Sequence, residues 1–150
     1  MNTQNGRPHP SHPLAAPRRE RVLYVEDDPV GAELMGALVD HMFPGIVLRL
    51  ADCMVEGVVQ ARTWRPDLIL LDMQLPDGDG LDMVRELAPE IARGEFCVVL
   101  LTADRLAPSV AKALALGALA CWSKPLHAGL LAQQMATVME HLLTVRRQIR

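Results

Sequence analysis

Regular hydrophobic periodicity begins at residue 21, where Arg21-Val22-Leu23-Tyr24-Val25 reads as a short strand ending in Glu26-Asp27-Asp28. Pro29 suits a first helical turn with Asp28 as its cap, and Leu34, Leu38 and Met42 then recur at helical spacing, with Met35 and Val39 beside them. Pro44-Gly45 ends this helix, and Ile46 to Leu50 reads as a second strand. Residues 54 to 63 suit a short helix before Pro66 breaks the run. Asp67-Leu68-Ile69-Leu70-Leu71 is a third strand ending at Asp72, and its unbroken apolar run calls for cover on both faces. The segment Leu75-Pro76-Asp77-Gly78-Asp79-Gly80 reads as a turn, followed by a helix from Leu81 to Ala88. Cys97 to Leu101 is a fourth strand closed by Thr102, and a small-residue helix after Pro108 reaches about Leu116, where Gly117 can stop it. A short fifth strand, Leu119 to Trp122, leads into Ser123-Lys124-Pro125. From His127 a long helix carries Leu130, Gln134, Val138, Leu142 and Val145 on one side, with Leu131, Met135 and Met139 adjoining.

Strands and helices that alternate in this way predict an α/β domain, a five-stranded parallel sheet with helices on both faces. In such a fold the active groups gather at the C-terminal ends of the strands. The domain is expected over residues 20–145, between a flexible Pro-rich tail (1–19, with Pro8, Pro10, Pro13 and Pro17) and a basic end (146–150) that can continue the last helix. His9 and His12 fall in that tail and read as isolated side chains. No output domain is expected, since the last helix consumes the chain.

Composition narrows the picture. A length of 150 residues supports one core rather than two. Tyr24, Phe43, Trp64, Phe96 and Trp122 are the only aromatic residues, so the core must be built from aliphatic side chains, with little left for a base-stacking surface. The net charge of -3, with arginines clustered only near the two ends, argues against nucleic-acid binding. Cys53, Cys97 and Cys121 have no metal-ligand spacing and fit a reducing, cytoplasmic setting. Neither a membrane span nor a secretion signal is predicted.

Asp27-Asp28, Asp72, Thr102 and Lys124 each follow a separate predicted strand, so the fold would bring them to one edge of the sheet. Three clustered carboxylates repel one another, and a hard divalent cation relieves that repulsion. Such a cation can take up charge from a phosphoryl group while an ammonium and a hydroxyl bind its remaining oxygens. Taken singly, each residue has a plainer reading: a turn cap for Asp72, a helix cap for the acidic pair, a satisfied buried hydroxyl for Thr102, a solvated strand end for Lys124.

Four segments change that balance: Val25-Glu26-Asp27-Asp28-Pro29, Leu70-Leu71-Asp72-Met73-Gln74-Leu75-Pro76-Asp77-Gly78-Asp79-Gly80, Leu101-Thr102-Ala103 and Lys124-Pro125. In this order and at these separations they resemble the response-regulator receiver family of two-component signalling, over about residues 20 to 145. The resemblance implies a flavodoxin-like, doubly wound fold in which Asp72 accepts a phosphoryl group from phosphohistidine. It further implies Asp28 and Asp72 as direct carboxylate ligands of Mg2+ (or Mn2+), Asp27 as a direct or water-mediated one, and the Gln74 backbone carbonyl as another. Thr102 resembles the switch hydroxyl, and Lys124 the lysine that pairs first with the acceptor and then with the phosphoryl group. The family counterpart of Pro125 follows a cis bond. The implied partners are a sensor histidine kinase or a histidine phosphotransfer protein, with room for a downstream protein target and for a homodimer through the last helix.

One position departs from the pattern. The family usually places Tyr or Phe three residues before the lysine, where Cys121 stands, and Trp122 faces the opposite side of its strand. Cys121 reads as a small packed hydrophobe or a redox sensor, and Trp122 as a partner anchor or ordinary packing. Two other functions compete with a stand-alone receiver. A phosphorylation-independent interaction module is favoured by Cys121. An aspartyl-nucleophile phosphohydrolase commonly needs an acid two residues beyond its nucleophile, and Gln74 stands there instead.

Overall fold

The computed structural model describes residues 19–148, with side chains to residue 145. Residues 1–18 of the expected Pro-rich tail (1–19) and the side chains of the basic C-terminal end lie outside the described residues.

In chain order the elements are β1 (Arg21–Val25), α1 (Pro29–Met42), β2 (Val47–Ala51), α2 (Met54–Thr63) and β3 (Leu68–Asp72). A two-residue pair follows, β4 (Gln74–Leu75) and β5 (Gly78–Asp79), then α3 (Gly80–Ala92), β6 (Cys97–Thr102), α4 (Pro108–Ala115), β7 (Ala120–Ser123) and α5 (Ala128–Gln148). Five strands form one parallel sheet in the order β2-β1-β3-β6-β7, and β4 pairs antiparallel with β5 as a separate small hairpin. The doubly wound α/β architecture expected from the sequence is therefore present.

Strand alternation divides the interior into two cores. Leu23, Val25, Ile69, Leu71, Val98, Leu100 and Cys121 point to one face and pack with Met83, Val84 and Leu87 of α3. Val22, Tyr24, Leu68, Leu70, Val99, Leu101 and Trp122 point to the other and meet Met35 and Val39 of α1 and Leu131, Met135 and Val138 of α5. Every residue of β3 is buried, as its unbroken apolar run requires. At the opposite end of the strands from the candidate site, Trp64 takes the Arg21 and Arg49 guanidinium groups at 5.7 and 4.6 Å from its ring centroid.

Three local features differ from expectation. In α1 the buried stripe is Ala32, Met35 and Val39, while Leu34 is exposed. In α5 the expected Val138 and Leu142 are buried, but the first turns bury the adjoining Leu131 and Met135 while Leu130 is exposed. Apolar side chains stand on adjacent positions in both helices, so spacing alone selects two neighbouring stripes and only the sheet decides between them. Helix α3 passes through Pro89 to Ala92 instead of stopping at Ala88. Its amphipathic face carries on, with Leu87 buried and Ile91 packed against the core, and a proline near the end removes only one ladder bond. Finally, the segment read as a turn closes as the β4–β5 hairpin, with Pro76-Asp77 at its tip.

Candidate functional site

The C-terminal edge of the sheet gathers the chemistry. After Val25 the parallel ladder continues for one more bond, Glu26 N–H donating to the Ala51 carbonyl at 2.9 Å. Glu26 thus keeps strand geometry and shares the facing of Val22 and Tyr24, which turns its carboxylate toward Lys124. Asp27 follows at the exposed rim, and Asp72 ends the neighbouring β3. Carboxylate oxygens of Glu26, Asp27 and Asp72 lie within 4.8 Å of one another.

Asp28 is not in that group. It is exposed at the N-cap of α1, its Oδ1 accepting the Val30 N–H at 3.1 Å, with Pro29 in the first turn behind it. The expected acidic pair is therefore shifted by one residue: Glu26 and Asp27 stand beside Asp72, where Asp27 and Asp28 were expected. A strand that ends at Val25 leaves Glu26 out of the site, and the extra ladder bond brings it in. The available signal was the alternation Val22, Tyr24, Glu26, which carries an acid one step past the last apolar residue.

Lys124 joins the two buried acids. Its Nζ stands 2.9 Å from Glu26 Oε2 and 3.1 Å from Asp72 Oδ2, across 98 residues of sequence in the first case. The Lys124 N–H also donates to the Thr102 carbonyl at 2.8 Å, and the Lys124–Pro125 peptide is cis. Burial and then a hydrogen bond with Asp72 raise the Glu26 carboxyl, Lys124 opposes them, and the pKa is pushed up to about 7. For Lys124, burial works downward, but the hydrogen bonds to Glu26 and Asp72 outweigh it and its pKa lies above the ordinary value. Burial first, and then the charge of Glu26, hold the nearby Tyr24 phenol well above its usual range.

The surrounding loops are fixed closely. Gln74 N–H donates to Asp72 Oδ1 at 3.1 Å, so the residue two beyond Asp72 lies against its carboxylate. At Gly80 an added Cβ would come within 2.6 Å of Met73 Sδ and 3.2 Å of the Asp72 carbonyl, so a larger residue would push α3 away from the end of β3. Thr102 is buried and engaged with its own loop, its hydroxyl donating to the Asp104 carbonyl at 3.2 Å and accepting the Asp104 N–H at 3.1 Å. An open cleft of about 680 Å³ joins Glu26, Asp27, Asp72, Thr102 and Lys124.

Cys121 and Trp122 stand on opposite faces of β7, in different cores. Burial raises the Cys121 thiol pKa, with the Arg105 guanidinium working against that rise. Trp122 is 5% exposed.

The donor set fits a hard divalent cation. Three carboxylates within 4.8 Å of one another supply hard oxygen ligands, and among the described residues the single ammonium of Lys124 is the one positive group paired with them.

Comparison with known proteins agrees with this geometry. Residues 22–136 match the family described as response regulator receiver domain. The transcriptional regulatory protein CitB of Klebsiella pneumoniae is 34% identical over 131 residues, 85% of this chain and 52% of that protein. A protein-glutamate methylesterase/protein-glutamine glutaminase of Syntrophus aciditrophicus is 36% identical over 109 residues, 70% of this chain and 30% of that protein. The chain thus spans about half, or less, of these relatives. Among solved structures, the signal receiver domain of an HD domain-containing protein from Pseudomonas fluorescens Pf-5 superposes with a TM-score of 0.77 at 22% identity, covering 89% of this chain and 96% of that one. The receiver domain of a sensor histidine kinase from Pseudomonas aeruginosa PAO1, solved with a magnesium ion coordinated in its active-site cleft, gives a TM-score of 0.67 at 27% identity, covering 77% and 93%. No helix among the described residues is long and apolar enough to cross a membrane.

Proposed function

The chain belongs to the response-regulator receiver domain family, and from that premise we propose that Asp72 accepts a phosphoryl group from a phosphohistidine on a partner protein. The observation that carries this reading is the placement of Lys124 Nζ between Asp72 and Glu26, at 3.1 and 2.9 Å, beside a third carboxylate from Asp27.

In the reaction a carboxylate oxygen of Asp72 attacks phosphorus in line. The new O–P bond forms as the P–N bond breaks, and the imidazole nitrogen leaves with the bonding pair. Glu26, Asp27, Asp72 and the Gln74 backbone carbonyl would hold Mg2+ (or Mn2+), which supplies charge neutralisation on the phosphoryl oxygens. Asp28 keeps its place as the cap of α1. Lys124, already poised against Asp72, exchanges part of that contact for a phosphoryl oxygen, and the Thr102 hydroxyl leaves the Asp104 backbone to bind another. Water later attacks the acyl phosphate, or the group passes to a second histidine.

The donor is a sensor histidine kinase or a histidine phosphotransfer protein, and phosphorylation alters the binding of a downstream protein target or of a second copy of the chain. We place this chemistry in the cytoplasm, a setting that suits the three free cysteines. The test is intact-mass labelling with a small acyl or amido phosphodonor and magnesium, beside a receiver of known activity. One added phosphoryl group is expected. Failure to label while the control labels would replace this reading with a phosphorylation-independent interaction module, which Cys121 at the usual ring position favours.

A further inference from the structure

Asp77 has no part in the proposed transfer, yet its carboxylate joins two elements that the sequence keeps 22 and 23 residues apart. It stands at the tip of the β4–β5 hairpin and accepts the Met54 N–H at 2.7 Å through Oδ1 and the Val55 N–H at 2.9 Å through Oδ2. These are the first two donors of α2, which a helix cannot satisfy from within. The helix's own cap, Cys53, accepts the Glu56 N–H through sulfur at a long 3.5 Å, and its thiol also bonds the Asp77 carboxylate. Asp77 therefore does from a distant loop what an N-cap side chain does locally. Those two backbone donors, in that order of importance, hold its carboxyl below the usual range.

The hairpin tip also rests directly on α2, since a Cβ at Gly78 would lie 3.2 Å from both Met54 Cε and Sδ. Its base is tied to α3 by the Gly80 N–H to Met73 carbonyl bond of 3.0 Å and by the reciprocal Asp79–Asp82 cap. Between these two anchors lies Gln74, whose N–H touches Asp72 and whose carbonyl the proposed function gives to the metal.

We propose that Asp77 is a positioning residue for the acceptor site: by clamping the hairpin tip to the N-terminus of α2 it fixes the Gln74 backbone beside Asp72, and the site's metal affinity depends on that clamp. The inference rests on the acceptor reading above. Outer partners that orient a ligand commonly change metal affinity by about tenfold or more when removed. Reciprocity then requires that metal binding tighten the clamp, so that α2 registers the state of the site.

The experiment measures magnesium affinity by calorimetry in the wild type, in Asp77→Ala, and in Asp77→Ala combined with Cys53→Ser. Serine gives α2 a strong cap of its own without reattaching the hairpin. Expected are an affinity about tenfold weaker in Asp77→Ala, recovery of thermal stability but not of affinity in the double variant, and slower amide exchange at Met54 and Val55 when the wild type takes up magnesium. Unchanged affinity in Asp77→Ala, or affinity recovered together with stability in the double variant, would reduce Asp77 to a helix cap and overturn the proposal. A wild type that binds no magnesium would instead sink the acceptor reading, and this inference with it.

Discussion

The acidic pocket and the β6–β7 edge lie side by side and are built differently. In the pocket, charged groups from the ends of β1, β3 and β7 meet within hydrogen-bonding distance, and two of the acids are buried. At the edge, the Thr102 hydroxyl bonds to the Asp104 backbone of its own loop, and Cys121 offers a small thiol where the family usually carries a ring. Removing one partner from a buried ionic group leaves an unpaired charge, whereas trimming a small apolar group leaves a small void. The pocket is thus sensitive to the loss of single atoms, and the edge beside it is less so.

The comparison can be broken most directly at Asp72. Asp72→Asn should abolish phosphoryl labelling in intact-mass measurements, and residual labelling at the wild-type rate would move the acceptor elsewhere. Next in size, Lys124→Met should slow labelling about 100-fold, the usual scale for losing one electrostatic donor at a reacting group. Stopped kinetics with a small phosphodonor would read this, and a change below threefold would make the lysine structural only.

A third test is electrostatic and concerns the metal-free protein. Glu26 titrates at about 7 against an ordinary 4.5, so between those values the folded chain holds a proton that the unfolded chain has lost. Stability from protonated Glu26 is fully present below 4.5 and lost as pH rises to about 7, at no more than about 1.4 kcal/mol per pH unit. Urea unfolding on either side of that window should show the decline, after allowance for other groups by repeating it in Glu26→Gln. An equal slope in both proteins would remove Glu26 as its source. The smallest effect belongs to the edge: Cys121→Ala should leave the labelling rate within about twofold and cost about 1 kcal/mol of stability. A tenfold loss of labelling there would erase the contrast between the two regions.

Much of this arrangement is legible in the sequence because strand-end chemistry survives small errors of register. Asp72 and Lys124 each close an unmistakable apolar run, and the fold brings them together whatever the exact bounds of the helices. The acidic pair was less forgiving. A single extra ladder bond at Glu26 moves the pair by one residue and leaves Asp28 as a cap. Leu34 and Leu130 were assigned to the packed stripes of α1 and α5 for a related reason: two adjacent apolar rows satisfy the same periodicity until a sheet is present to choose. The Asp77 clamp was out of reach altogether, since nothing in a Pro-Asp-Gly turn announces a helix N-terminus more than twenty residues earlier.

The burial of Trp122 in the core on the α5 side of the sheet has a practical meaning. Neither it nor Trp64, which lies between arginines at the far end of the strands, lines the cleft. Neither indole therefore touches what occupies the cleft. Trp122 lies two residues before Lys124, so a spectral change that accompanies loading would report a disturbance passed from the pocket into β7, which makes the unaltered protein its own optical gauge of whether a signal leaves the pocket.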